Sequence, residues 1–387
     1  MRALHQEWSP PSRLALFLIA ACSLSPSLAE GAALIWGQWH GYTGKALRDG
    51  VDFWAGGFLA VHHRLGVLFD VAAYRHFLAA HFGQLPPHIW SYPPNYLLIA
   101  RAFGWLAPWP AVLAFDAAGI VLLILVLRLA RSGKWLALAV ILSPASLANL
   151  LAGQNGIWLA ALIGGGLLLI PTRPRLAGIL VGLATIKPQL GIPLPLHLLR
   201  RSPLAFAYAM LGAVALAGLS ASVFGLTAWV DFWRITRPLM QQVLVSGQPK
   251  VFAGGLISVF ALARPLGIPA ALAVQTVVSL GAVAVAARMK KPAAVLILAA
   301  IASPYLHGYD LVGVALAIAL QVEKGLARGF FPGEPALFFV AWTGPGLLVW
   351  FPGLAPLAPV VLGLLLVSAA WHEAPHATPR NVQRTVL

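Results

Sequence analysis

The sequence predicts an all-α, polytopic membrane protein, because of its composition and because of the pattern of its apolar residues. Charged residues make up 10% of the 387 residues, against roughly a quarter in soluble proteins, and 60% of the residues are hydrophobic. Apolar stretches near or above the roughly 20 residues that cross a bilayer recur along the chain, as at 109–130, 203–225 and 268–288. Since no segment is left for a soluble domain, we expect residues 1–387 to form a single membrane domain.

The apolar stretches give about twelve candidate membrane segments, within a range of roughly 10 to 13. They are 14–36, 109–130, 134–150, 155–170, 176–186, 189–199, 203–225, 268–288, 292–304, 309–322, 335–351 and 355–371. The first could be a secretory signal with a Ser-Leu-Ala cleavage site, but the apolar pattern continues past that point and favours an uncleaved helix. The segment 176–199 reaches only about 36 Å as a helix, so we expect a hairpin whose tip lies inside the membrane.

Basic residues cluster in the turns between these segments, and cytoplasmic loops attract Lys and Arg. The clusters are Arg2/Arg13, Arg128/Arg131/Lys134, Arg173/Arg175, Arg200/Arg201, Arg288/Lys290/Lys291, Lys324/Arg328 and Arg380/Arg384. If all face the cytoplasm, both termini and a tail at 372–387 are cytoplasmic, and we expect a multi-pass protein of a bacterial inner membrane. The net charge of +15 then serves orientation and contact with membrane lipids, so nucleic acid is not expected as a partner.

The same orientation collects the unusual polar motifs on the outer side of the membrane. They are VDFWAGG at 51–57, SYPPNY at 91–96, AGQNG at 152–156, IKPQLG at 186–191 and SPYLHGYD at 303–310. The first outer loop, 37–108, is long and apolar, and its aromatic and charged residues alternate at helical spacing, which predicts juxtamembrane helices lying along the interface. This segregation predicts an extracytoplasmic site at the membrane boundary.

Two residues of these motifs, Asp52 and Lys187, carry charge where charge is unfavourable. Asp52 lies beside Phe53 and Trp54, and a carboxylate at the edge of a low-dielectric region acquires a raised pKa suited to a general base. It could equally cap a helix or pair with an Arg, and Asp49 competes for the role. Lys187 lies between apolar runs, where a cation needs an anion such as a phosphate, although it could also extend to the interface.

Two further motifs offer hydrogen-bonding groups. Gln154 and Asn155 lie between two helices and could bind a polyhydroxylated ligand or satisfy helix ends. His307, Tyr309 and Asp310 could surround a sugar or phosphate, although a turn capped by Asp310 is equally consistent.

Several classes of chemistry lack support. The outer loop is rich in histidine, at His62, His63, His76, His81 and His88, but HExxH and comparable spacings are missing, so we expect no metal and no cofactor. Nucleotide-binding and nucleophile-elbow motifs are missing too. The single cysteine, Cys22, excludes an internal disulfide.

The ordered motifs resemble those of the polytopic, C-type (GT-C) glycosyltransferases, and within them family 87, the polyprenol-phosphate-mannose-dependent mannosyltransferases. The resemblance lies in DGVDFWAGG followed by FDVAAYRHF, then SYPPNYLLIA, AGQNG, GLATIKPQLGIPLPLHLL and SPYLHGYDLV, over residues 49–316. It implies a GT-C-like fold, a site facing away from the cytoplasm, a polyprenyl-phosphate sugar as donor, a lipid or glycan acceptor, and inversion at the anomeric carbon.

The resemblance also implies roles for individual residues. Asp52 matches the family's first-loop aspartate and would be the base. Lys187 would bind the donor phosphate, helped by His307 or by Arg234 and Arg237 of the second outer loop. To sugar or acceptor binding we assign Asp49, Tyr92, Gln154, Asn155, Gln189, Tyr309 and Asp310.

Other classes of function stay open at this point. A secondary transporter or lipid flippase would also be polytopic, but such proteins favour inverted repeats with broken helices, and no repeat is evident. A membrane scaffold without activity is the third alternative.

Overall fold

A computed structural model describes residues 13–40, 47–246 and 256–371. Within these residues the only regular elements are helices, joined by turns and loops, and no strand occurs. The predicted tail at 372–387 lies outside these residues. The helices in chain order are α1 Arg13–Trp39, α2 Gly50–Val61, α3 Gly66–Phe69, α4 Val71–Phe82, α5 Tyr96–Phe103, α6 Pro108–Leu129, α7 Lys134–Ile141, α8 Pro144–Ala152, α9 Gly156–Leu169, α10 Pro174–Ile186, α11 Leu194–Arg201, α12 Pro203–Phe224, α13 Leu226–Asp231, α14 Arg237–Ser246, α15 Val259–Ala263, α16 Ile268–Ala286, α17 Pro292–Ala302, α18 Val312–Arg328, α19 Glu334–Trp350 and α20 Ala358–Trp371. The all-α class is confirmed for this part of the chain.

Several of the helices are long and apolar enough to cross a membrane. Four pass by length and composition, namely α6, α12, α16 and the segment Pro352–Trp371, and the pair α7 and α8, bent by 56°, is a fifth if it counts as one span. Other apolar helices, among them α2, α9, α10 and α17, are shorter. Each of the predicted membrane segments overlaps a helix or a bent pair, although 189–199 does so only from Leu194 onward, and the total of about twelve crossings stays a prediction.

The segment predicted as a hairpin does break, and it breaks at Lys187. The helix α10 ends in a 3₁₀ turn, Ala184–Ile186, and a second 3₁₀ turn, Pro188–Gly191, precedes α11. Pro188 disfavours helical dihedrals in the residue before it, and Lys187 has the extended values φ −138° and ψ 74°. The break places the lysine side chain between helices instead of along one.

The first loop contains helices as expected, among them α2, α4 and α5, and α2 is almost entirely buried. Ten of its 12 residues are buried, and only Asp52 and Phe58 are partly exposed. The other two bury one face each, through Tyr74, Phe77 and Leu78 in α4 and through Tyr96, Leu97 and Ala100 in α5. The parts of the loop that fold over α2 account for this burial, and the expectation that the loop helices lie along the membrane interface stays a prediction.

Glycines allow α2 to lie that deep. A Cβ atom on Gly57 would be 2.3 Å from the carbonyl oxygen of Ala100, and one on Gly104 would be 2.2 Å from the carbonyl oxygen of Gly57. At the preceding position of α2, a Cβ on Gly56 would be 2.3 Å from the ring of Trp90. The AGG motif is thus a packing surface, where α2 meets α5 and the Trp90 ring without any intervening side chain.

We expect Gly57→Ala to destabilise the protein by about 1–3 kcal/mol, because the added methyl group overpacks the contact with Ala100. The matched control is Gly281→Ala, a helical glycine with nothing within 4 Å of the added Cβ, which should be neutral or slightly stabilising. Thermal unfolding in detergent measures both. Equal melting temperatures for the two variants would contradict the proposed close contact.

Candidate active site

A polar cleft lies where the polar motifs of the sequence meet. Its lining is drawn from seven separate parts of the chain: Asp49, Asp52, Ile89, Ser91, Tyr92, Pro93, Gln154, Ile186, Lys187, Gln189, Met240, Val243, Leu256, Tyr305, His307 and Tyr309. All five polar motifs contribute to it. The structure therefore brings together residues that the sequence only placed on the same side of the membrane.

Asp52 is held by two hydrogen-bond donors. The Tyr74 hydroxyl donates to Oδ1 over 2.6 Å, and Nδ1 of His88 lies 2.8 Å from Oδ2. Burial raises the pKa of Asp52 above its ordinary value, and the bonds from His88 and Tyr74 together with the charge of His88 offset only part of that rise. The result is a carboxylate with a raised pKa at the wall of a cleft, as a general base requires.

Tyr74 and His88, the two donors to Asp52, both favour their protonated forms. Burial and the neighbouring Asp52 raise the pKa of Tyr74 well above its usual range, so its hydroxyl keeps its proton. For His88, burial favours the neutral ring, but the hydrogen bond and the charge of Asp52 outweigh it and raise the pKa. Both side chains thus favour the donor state toward Asp52.

Asp49 belongs to a second chain of hydrogen bonds. The amide of Gln154 donates to Oδ2 of Asp49 over 2.8 Å, and its oxygen accepts a bond of 2.8 Å from the hydroxyl of Tyr92. Two glycines make this possible, because a Cβ on Gly153, which has φ +64°, would be 2.6 Å from the Cα of Gly50. Asp49 is thereby fixed as a hydrogen-bonded wall of the cleft.

Lys187 forms a buried ion pair. Its Nζ lies 2.5 Å from Oδ1 of Asp310 and 5.3 Å from the centre of the Tyr309 ring. Oδ2 of Asp310 accepts a bond from the backbone N–H of His307, whose ring stacks on Tyr309 at 4.9 Å. Asp310 therefore caps the turn, as one of the two interpretations expected, and it is also the counter-ion of Lys187. It is not part of the cleft lining.

Most predicted site residues line the cleft, and four do not. Asp310 is one of them, and Asn155 is another, since it is fully buried. Arg234 and Arg237 are exposed and lie outside the lining, with Arg237 stacked 5.0 Å from the centre of the Trp233 ring. Their proposed parts in binding stay predictions.

Sequence reasoning missed several contributors. Tyr74 lies in FDVAAYRHF, which was noted only as a resemblance, and His88 was noted only as one of several loop histidines. The apolar lining from Met240, Val243 and Leu256 carries no local signal at all. Only the hydrogen bonds to Asp52 identify Tyr74 and His88.

The described part of the chain holds no group of three or more His, Cys, Asp or Glu residues that could bind a metal ion. The expectation that no metal or cofactor is needed remains a prediction.

A comparison with protein families identifies the family to which the protein belongs. The model of glycosyltransferase family 87 matches residues 90–322, which is more than half of the chain. The chain belongs to glycosyltransferase family 87. Curated proteins and solved structures gave no match.

Membership in family 87 makes the protein a glycosyltransferase, and the matched range contains Tyr92, Gln154, Lys187 and the His307 turn. Asp52 precedes that range. Its place in the site therefore rests on the geometry of the cleft, which joins it to the matched region.

We expect Lys187→Met or Asp310→Leu alone to cost about 3–5 kcal/mol of stability, because each leaves the other charge buried without its partner. The double variant should be destabilised by clearly less than the sum of the two. A double-mutant cycle from unfolding measurements in detergent gives the coupling, and simple additivity would show that the pair is not formed.

Proposed function

We propose that this glycosyltransferase moves a hexose, mannose in the first instance, from a polyprenyl-phosphate donor to a hydroxyl group of a lipid or glycan acceptor. Transfer takes place at the extracytoplasmic side of the membrane and inverts the anomeric carbon. The observation that carries the proposal is the shared cleft, which exposes the Asp52 carboxylate and the Lys187 ammonium group to one bound ligand in a member of family 87.

Asp52 is the general base of this scheme. It takes the proton of the acceptor hydroxyl as that oxygen bonds to the anomeric carbon, and the bond from that carbon to the phosphate oxygen breaks with its electron pair going to the phosphate. Asp52 suits the step because burial raises its pKa while two donors hold it in place. Direct attack from the face opposite the leaving phosphate accounts for inversion.

The donor phosphate takes its place near Lys187. Charge accumulates on the phosphate as it leaves, and the Lys187 ammonium group, held in place by Asp310, stabilises such charge. His307 and Tyr309 line the cleft with Lys187, and the exposed Arg234 and Arg237 are proposed to assist from outside the lining. Because phosphate is a good leaving group, the scheme needs no metal.

The sugar and the acceptor are bound by neutral hydrogen-bonding groups of the cleft lining. Tyr92 and Gln154 form a continuous hydrogen-bonded chain with Asp49, and Gln189 follows the Lys187 turn. Such fixed donors and acceptors suit a polyhydroxylated ligand. The proposal includes a polytopic GT-C-like architecture with about twelve spans in a bacterial inner membrane, and both termini in the cytoplasm.

We expect Asp52→Asn to lower sugar transfer by about 10²- to 10⁴-fold, since the amide cannot accept the proton. The purified protein is reconstituted in vesicles with a panel of polyprenyl-phosphate sugars, and glycan transfer to added acceptors is measured.

The matched control is Asp70→Asn in the same loop. Asp70 is exposed and caps α4 by accepting bonds from the N–H groups of Ala72 and Ala73, a role that Asn fills almost equally well. Undiminished transfer by Asp52→Asn would remove Asp52 from the mechanism. Movement of lipid-linked sugar across the vesicle membrane without transfer would favour the flippase or transporter instead.

A further inference from the structure

The two donors to Asp52 have no place yet in the mechanism, although they occupy both of its oxygens. Tyr74 binds Oδ1 and His88 binds Oδ2, while neither residue lines the cleft. A carboxylate offers about four lone-pair positions, so two remain after these bonds. Since the donors approach from behind, the free positions are those on the cleft side, where an acceptor hydroxyl would lie.

His88 is held in place by its own segment. Two prolines, Pro86 and Pro87, precede it and restrict the backbone, and Trp90 two residues later is 1% exposed and packs against Gly56 of α2. Because Gly56 lies one helical turn after Asp52, the same helix carries the carboxylate and the anchor for its histidine partner.

Tyr74 is equally fixed. Its side chain is fully buried on the inner face of α4, together with Phe77 and Leu78. The N-terminus of α4 is set by the Asp70 cap, four residues before Tyr74. The Asp52 carboxylate is therefore held by two separate elements, α4 and the segment before α5.

We propose that His88 and Tyr74 are positioning residues for Asp52, which hold its carboxylate toward the cleft, and that His88 sets the lower pH limit of sugar transfer by keeping that carboxylate ionised. The inference rests on the proposed role of Asp52 as the base, and it adds the control of that base by pH.

The charged groups around the pair have defined effects. Asp49 disfavours the ionised form of Asp52 and favours the charged form of His88, whereas Arg75 opposes charge on His88. The base must be ionised to act, so activity falls as the pH drops through the pKa of Asp52. Loss of His88 removes both a hydrogen bond and a positive charge that lower this pKa, and the acid limb of the pH profile should move to higher pH.

Three variants separate the contributions. His88→Ala removes the donor and the charge, and His88→Asn keeps an N–H donor near the position of Nδ1 but cannot become charged. Tyr74→Phe removes the other donor alone. The control is His76→Asn, an exposed histidine of the same loop, which should change nothing.

The first measurement needs no enzymatic activity. Infrared titration of the full-length protein in nanodiscs follows the protonated carboxyl band that is lost in Asp52→Asn. We expect the band to titrate at the highest pH in His88→Ala, at an intermediate pH in His88→Asn, and at a pH above wild type in Tyr74→Phe. Titration at the wild-type pH in the first two variants would overturn the proposal, and His88→Asn keeps it testable if His88→Ala fails to fold.

The second measurement is the pH dependence of transfer in the reconstituted assay. His88→Ala should lose about tenfold or more in rate below the wild-type acid limb and much less above it. If transfer occurs and the limb does not move, the positioning role fails while the proposed function stands. If the infrared order holds and no sugar donor supports transfer, the positioning role stands and the proposed function fails.

Discussion

Buried carboxylates need donors, and this requirement ties the cleft together. Asp52 takes bonds from α4 and from the segment before α5, and Asp310 takes them from Lys187 and from the backbone at His307. An unpaired ion in such surroundings would cost several kcal/mol. Each carboxylate therefore connects parts of the chain that are far apart in sequence, and the cleft lies where these connected parts meet.

Glycines allow the close backbone contacts that bring these parts of the chain together. Gly57 and Gly104 let α2 approach α5, and Gly50 and Gly153 let the Asp49 turn approach Gln154. A similar contact places Gly156 against the carbonyl oxygen of Tyr309, where a Cβ would be only 2.3 Å away. The backbone contacts carry no chemistry themselves, but they set the positions of residues that do.

The division of charge within the cleft suits transfer from a phosphate. Asp49, Asp52 and Lys187 line the cleft, while His88 and Asp310, the partners of Asp52 and Lys187, lie outside its lining. Lys187 is already neutralised by Asp310, so it presents a fixed dipole with its positive end at the cleft instead of a free cation. A preorganised dipole of this kind can stabilise charge on a leaving phosphate without first losing its own hydration.

Local patterns in the sequence determined the helical class and the break at Lys187, and they predicted a common side of the membrane for the polar motifs. Apolar run length, the effect of Pro188 and the distribution of Lys and Arg act within a few residues or through the membrane, so they can be recognised without a fold. The tertiary structure alone decided that α2 is buried, that Asp310 neutralises Lys187, and that Tyr74 and His88 hold Asp52. These outcomes depend on contacts between residues 22 to 123 positions apart, which are set by how the helices pack and leave no periodic trace in the sequence.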